Sequence, residues 1–283
     1  METSQARFPD LHIVEPKGQH THTAILLHGR GGHGPDFAKD LLTSTTSQGL
    51  DLASHFPTWR WVFPSAAVRW SVAFQVNLPA WFDVYTLADT NKRQDLQIQG
   101  LKESSLHVLD VLEHEISLLG GQSEKVILGG LSQGMSAALW TLLCSPGRVK
   151  GRLGAFIGCC GYLPFTQHIE TAIQDYRSKY ASESTTPKCV TISAFLHGVL
   201  GCPPIESKPE EVEAVLSTPV LLLHGIDDGI VKISLGRQAC QLLREIGMEV
   251  LMREYFGAPN MGHWIQEPEG FDEIVTFLKS KIS

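Results

Sequence analysis

Short apolar runs alternate along this chain with longer stretches whose apolar residues recur every three or four positions. The runs at 23–27, 59–63, 126–128, 154–157, 220–223 and 250–255 predict strands that are buried for most of their length. Between them, 96–119, 135–143, 233–246 and 271–279 predict helices. In the first of these, Leu101, Leu106, Val108, Leu109, Leu112, Ile116 and Leu119 form a stripe expected to face a core. Strands and helices in alternation predict an α/β fold: a mostly parallel central sheet with helices on both faces. One interval, 164–218, breaks the rhythm. It joins a polar stretch (176–188) to an apolar one (190–204) and is too long for a plain loop. Two outcomes fit it: a helical excursion that folds over a site as a lid, or a solvated surface insertion.

Length and composition narrow the picture. At 283 residues, with 43% hydrophobic and 19% charged residues, a single domain spanning 1–283 is expected. A net charge of -7 disfavours nucleic acid as a partner, because phosphate binding needs a basic footprint. The first residues, METSQARFPDLH, lack the basic and apolar regions of a signal peptide, and they carry no N-myristoylation glycine. No run of 18 apolar residues occurs, so no transmembrane segment and a cytoplasmic location are expected. The six cysteines show no C-x-x-C spacing and read as free thiols, with no metal site.

The chemistry begins where the strand at 126–128 runs into Gly130–Leu131–Ser132–Gln133–Gly134 and a helix follows. In a G-x-S-x-G turn the flanking glycines let neighbouring backbone approach, which lifts the serine hydroxyl above the sheet edge. The helix N-terminus then adds favourable potential for a developing oxyanion. A serine needs a histidine to take its proton and a carboxylate to orient that imidazole. After the strand at 220–223 come two candidate acids, Asp227 and Asp228. His263 is the only one of the 12 histidines beyond them, and it precedes the last predicted helix. The order Ser, Asp, His is that of a hydrolase fold. The glycine-rich loop Leu26–Gly34 lacks a P-loop ending and the dinucleotide fingerprint. It is expected to supply the Arg30 backbone amide as one oxyanion donor, beside that of Gln133. His28 and His224, at equivalent strand ends, are expected to hydrogen-bond loop backbone.

With these residues assembled, the chain resembles the acyl-protein thioesterase/lysophospholipase (phospholipase/carboxylesterase) family of α/β-hydrolases. The matching pieces are LLHGRGGHG, AWFDVYTLAD, the helix from about Gln97, GGLSQGM, LLLHGIDDGIV and PNMGHW. The resemblance implies an α/β-hydrolase fold and a Ser132, Asp228, His263 triad, the H-G-x-x-D spacing selecting Asp228 over Asp227. It implies a serine esterase or thioesterase acting on S-acylated proteins, lysophospholipids or small esters, with no cofactor. It also places Trp81–Phe82–Asp83 near the site. Four departures stand out: Gly32 where the family often has Asp, Met135 for a second glycine, the bulky Trp264, and the long 164–218 interval. Trp81, Met135 and Trp264 are accordingly expected to contact substrate. Two other readings are an enzyme for a specialised small metabolite and a non-catalytic binding protein.

Overall fold

The computed structural model of the chain describes residues 6–180, 188–199, 201 and 208–282. Its central sheet runs through β1 (His12–Val14), β2 (His22–Leu27), β3 (Trp59–Phe63), β6 (Val126–Leu131), β7 (Ala155–Cys159), β8 (Val220–Gly225) and β9 (Val250–Tyr255). The spatial order is β1-β3-β2-β6-β7-β8-β9. Only β1 pairs antiparallel, against β3; every other neighbour is parallel. All six predicted strands are present, most of them a residue or more longer than the apolar run. β6 continues to Leu131 because its glycines, invisible to a hydropathy pattern, still pair with β2 and β7.

The helices divide between the two faces. One face carries α1 (Gly34–Thr43), α2 (Leu52–His55) and α9 (Glu269–Lys281), with Phe37, Leu41, Leu52, Phe271 and Leu278 in one core. The other carries α3 (Asp95–Leu118), α4 (Gln133–Leu143) and α8 (Ile233–Ile246) over a second core. In α3, Leu101, Val108, Leu109, Leu112 and the following Leu119 are buried as expected, but Leu106 is exposed. Leu106 lies about 140° round the helix from Leu101, off the buried face. That face also buries Glu115, whose carboxylate accepts from Thr23 Oγ1 at 3.1 Å and pairs with Arg60 Nε at 3.2 Å. The charge is tolerated there because both strand partners satisfy it.

The 164–218 interval is a helical excursion of α5 (Thr166–Tyr180), α6 (Lys188–Val199) and α7 (Pro209–Leu216). Its apolar residues Ile169, Ile173, Ile192, Leu196, Val212 and Val215 join the core shared with α4 and α8. None of its described residues between 166 and 216 lines the cleft beside Ser132. Among the described residues the lid expectation is therefore corrected: the apolar side of the insertion is spent thickening the helical layer. Residues 181–187, 200 and 202–207 of the interval lie outside the described residues. A hairpin of β4 (Val68–Ser71) and β5 (Val76–Pro79) stands apart from the main sheet.

Strand order reverses between β2 and β6: the chain leaves β2 toward β3 and leaves β6 toward β7. In open parallel sheets the crevice at such a switch point, outside the carboxyl ends of the strands, is the natural ligand site. The loop after β2 and the turn after β6 both open there.

Candidate active site

Ser132 sits between the last residue of β6 and the first of α4, with φ 56° and ψ -122°. Positive φ on a non-glycine residue is strained, at about 1–3 kcal/mol, so the surroundings must impose it. They do so by close approach. A Cβ on Gly134 would lie 2.2 Å from the Leu27 carbonyl oxygen and 2.5 Å from that of His28. Only glycine lets α4 start this close to the end of β2. The Ser132 amide donates to the Cys159 carbonyl at 2.8 Å, which ties the turn to β7. The hydroxyl is left at the cleft, and a Cβ on Gly29 would lie 3.9 Å from it. Both amides expected to face an oxyanion belong to residues lining this cleft, Arg30 and Gln133. Gln133 is the first residue of α4, where a helix has no internal acceptor for the N–H.

The loop after β8 delivers the carboxylate. Asp228 is buried, and its Oδ1 accepts from the amides of Ile230 and Val231 at 2.8 Å each. Its Oδ2 accepts from His263 Nδ1 at 2.7 Å and lies 3.4 Å from His224 Nε2. Burial alone would push this carboxyl up, but the hydrogen bonds from His224, His263 and the two amides outweigh it. The group is held well below the usual carboxylate range. An ionised carboxylate can only accept, so the His263 Nδ1 carries a proton and its Nε2 is free to act as a base. Asp227, by contrast, accepts from the Gly257 amide and bonds no histidine among the described hydrogen bonds. The geometry therefore separates two adjacent acids that the chain order left open.

His28 and His224 hold loops, as expected. His28 Nε2 accepts from the Ala66 amide at 3.0 Å while Nδ1 donates to the Gly29 carbonyl at 2.6 Å. His224 Nε2 donates to the Val231 carbonyl at 2.8 Å. Burial pushes the His28 pKa down to about 4, against its ordinary 6.5. A histidine depressed on folding binds fewer protons than in the unfolded chain, so its contribution to stability falls as pH drops from about 6.5 to about 4. Urea unfolding at pH 7 and pH 4.5 should show this loss, up to about 3 kcal/mol from His28 itself. In His28→Gln that part of the pH dependence should vanish; an unchanged slope would contradict a buried neutral imidazole.

Two residues expected to touch substrate do not line this cleft. Trp81 is fully buried; its Nε1 donates to the His28 carbonyl at 2.8 Å and its amide to Gln133 Oε1 at 3.0 Å. With Gln133 Nε2 donating to the Phe82 carbonyl at 2.7 Å, the Trp81–Phe82 segment clamps the two loops that carry the amides. Met135 is also buried, because it points away from the cleft into space left by Gly158 and Gly161. A Cβ on either glycine would lie within 2.8 Å of its sulfur. Trp264 does line the cleft, edge-on to Phe37 at 6.1 Å.

Sequence reasoning missed the support behind His263. Tyr255 Oη donates to the Trp264 carbonyl at 2.7 Å, and Cys160 Sγ lies 3.4 Å from that hydroxyl. Cys160, Asp228 and His263 bring one ligand-type atom each within 4.8 Å. The Asp228–His263 hydrogen bond already uses two of those atoms, and burial pushes the thiol up to about 12. The trio reads as a brace for the imidazole. No local motif marks Cys160; only the pairing of β7 with β8 brings it there.

The cleft measures about 790 Å³ and also presents Asp36, Asp40, Phe74, Val84, Leu87, Tyr162 and Met261. Comparison with known proteins places this arrangement. Residues 9–182 match the phospholipase/carboxylesterase family model. Acyl-protein thioesterase 1 of Schizosaccharomyces pombe is 31% identical over 57% of this chain and 65% of its own length. That of Gibberella zeae is 26% identical over 95% of this chain and 94% of its own. The crystal structure of Zea mays acyl-protein thioesterase 2 superposes with a TM-score of 0.67 at 26% identity, covering 97% of this chain and 99% of that one. Arabidopsis thaliana SOBER1 shares the fold, with a TM-score of 0.65 at 22% identity over 93% of this chain and 100% of its own. The sheet order, the serine turn and the family match agree: this chain is an α/β-hydrolase and belongs to the phospholipase/carboxylesterase family.

Proposed function

We propose that this protein hydrolyses carboxylic esters or acyl thioesters through Ser132, His263 and Asp228. The observation that carries this reading is the 2.7 Å bond to a buried, ionised Asp228 from Nδ1 of His263, which lines the same cleft as the strained Ser132. His263 Nε2 takes the Ser132 proton as Oγ attacks the acyl carbonyl. The Arg30 and Gln133 amides receive the oxyanion, and His263 returns the proton to the departing alcohol or thiol. Water, deprotonated by the same imidazole, attacks the acyl-enzyme and releases the acid and free Ser132. Removing one donor of such a hole typically costs about 2.7–4 kcal/mol. Asp228 keeps the imidazole in the tautomer the first step needs.

The relatives named acyl-protein thioesterases favour an acylated protein as substrate, and the phospholipase/carboxylesterase family adds an acylated lipid. The position of the insertion, away from the described cleft wall, favours a site able to accept a large leaving group. A fluorophosphonate probe should label the folded protein with one adduct, located at Ser132 by peptide mass analysis. No labelling under conditions where a control serine hydrolase reacts would count decisively against the proposal. A non-catalytic binding protein would behave in that way. A panel of acyl thioesters, lysophospholipids and small esters then ranks substrate classes.

A further inference from the structure

The two walls of the cleft differ in charge. α1 contributes Asp36 and Asp40, with Phe37 and Trp264 on the same face of the sheet. The opposite wall presents Val84, Leu87 and Tyr162, which belong to the other core. Arg30 stands on that side. Its guanidinium lies over the Phe74 ring at 4.5 Å and interacts through space with Tyr162 and Asp83. No salt bridge to Arg30 is found among the described residues, and Asp83 is engaged with the Val72 amide at 3.1 Å. Tyr162 is 2% exposed, and its enclosed hydroxyl has no hydrogen-bond partner among the described residues. A buried phenol without a partner is costly and uncommon. Here it lies beside a guanidinium that makes no salt bridge among the described residues, in the wall of a reaction cleft.

We propose that Arg30 and Tyr162 form a subsite for an anionic oxygen group, carboxylate or phosphate, carried by the ester or thioester substrate. The inference rests on the hydrolase reading above and adds a substrate class to it. A guanidinium offers several planar donors to such a group, and the phenol hydroxyl, enclosed behind the cleft wall, is a further donor that a small movement of that wall would bring to the anion. Arg30 rests on an aromatic face, which limits the orientations it must give up on binding. Asp36 and Asp40 disfavour the anion on the opposite wall, so the charge fixes which way the substrate lies. The anion can reside in the acyl part, as in a half-ester of a dicarboxylic acid, or in the leaving group, as in a phosphate-bearing lysolipid.

Two substrate pairs separate these sources: p-nitrophenyl hemiglutarate against p-nitrophenyl valerate, and lysophosphatidate against the matching monoacylglycerol. The quantity read is the ratio of kcat/KM, anionic over neutral, within each variant. In the wild type this ratio should be raised in one pair, and that pair identifies the part of the substrate that carries the charge. Arg30→Gln should lower it at least about tenfold and Tyr162→Phe about threefold or more, mainly through KM of the anionic member. Tyr162→Phe keeps the ring and so guards against a folding artefact. A wild type without preference in either pair, or a ratio unchanged in Arg30→Gln, overturns the subsite. A ratio lost in Arg30→Gln but kept in Tyr162→Phe overturns the two-group site in favour of Arg30 alone. If neutral esters are hydrolysed normally, any of these failures leaves the hydrolase reading standing; if neither member of a pair is hydrolysed, that reading fails first.

Discussion

Ser132→Ala is expected to reduce hydrolysis of a short-chain nitrophenyl ester by roughly 10⁴-fold or more. Far-UV circular dichroism should stay unchanged, because the side chain carries no described structural hydrogen bond. Its backbone, however, is forced to φ 56°, so the substitutions available at this position differ in stability as well as in activity. Alanine keeps the penalty of a Cβ at positive φ, whereas glycine escapes it. Ser132→Gly should therefore be inactive yet melt at a higher temperature than Ser132→Ala. Wild-type turnover in either variant would end the proposal for Ser132. A glycine variant less stable than the alanine one would show that the turn is not strained.

Asp228→Asn should lower kcat by roughly 10⁴-fold, since an amide no longer holds the imidazole in the productive tautomer. The asparagine can keep the Ile230 and Val231 amide contacts through its carbonyl, so the loop should survive. Among the described hydrogen bonds the Asp227 side chain makes only the exposed Gly257 contact, so Asp227→Asn should change stability by no more than about 0.5 kcal/mol, with activity close to wild type. The two variants also part in acid. The folded-state pKa of Asp228 is depressed, so its stabilisation is complete above the unfolded value near 4 and is lost as pH falls below it. Urea midpoints measured at pH 6 and pH 3 should fall less steeply for Asp228→Asn than for the wild type. Equal kinetic losses in the two variants would undo the assignment.

How much of this was written in the sequence depends on the range of the interactions involved. Buried parallel strands are apolar on both sides, so β2, β3 and β8 stood out as runs. Chain order pointed to Ser132, the acid pair and His263 as candidates, because each follows a strand and the fold dictates where strand ends meet. The choice of Asp228 rested on family spacing; its contacts with the Val231 amide and the His263 imidazole are long-range features that spacing alone does not show. The β4–β5 hairpin escaped because its apolar residues Val68, Trp70 and Val76 are exposed and answer to no core. Helix α1 went unpredicted: it begins at Gly34, where the glycine-rich loop ends, and runs to Thr43. Glu115 could not be anticipated, since its burial depends on Thr23 and Arg60 from two strands far away in sequence. Trp81 and Met135 were assigned to substrate by proximity in motif, but both point inward, and direction is not encoded in spacing.

Met135 carries a consequence for how this chain can change. Its side chain occupies room that exists only because positions 158 and 161 lack a Cβ. Positions 135 and 158 are thus mutually conditional, whereas 161 must stay glycine in any case, because a Cβ there would lie 2.8 Å from the Ser132 carbonyl oxygen. A larger residue at 158 is barred while methionine stands at 135, and a small residue at 135 leaves a hole until position 158 grows. Exchanges at these sites are therefore ordered in time: the route between this arrangement and one with glycine at 135 passes through an underpacked chain, never an overpacked one.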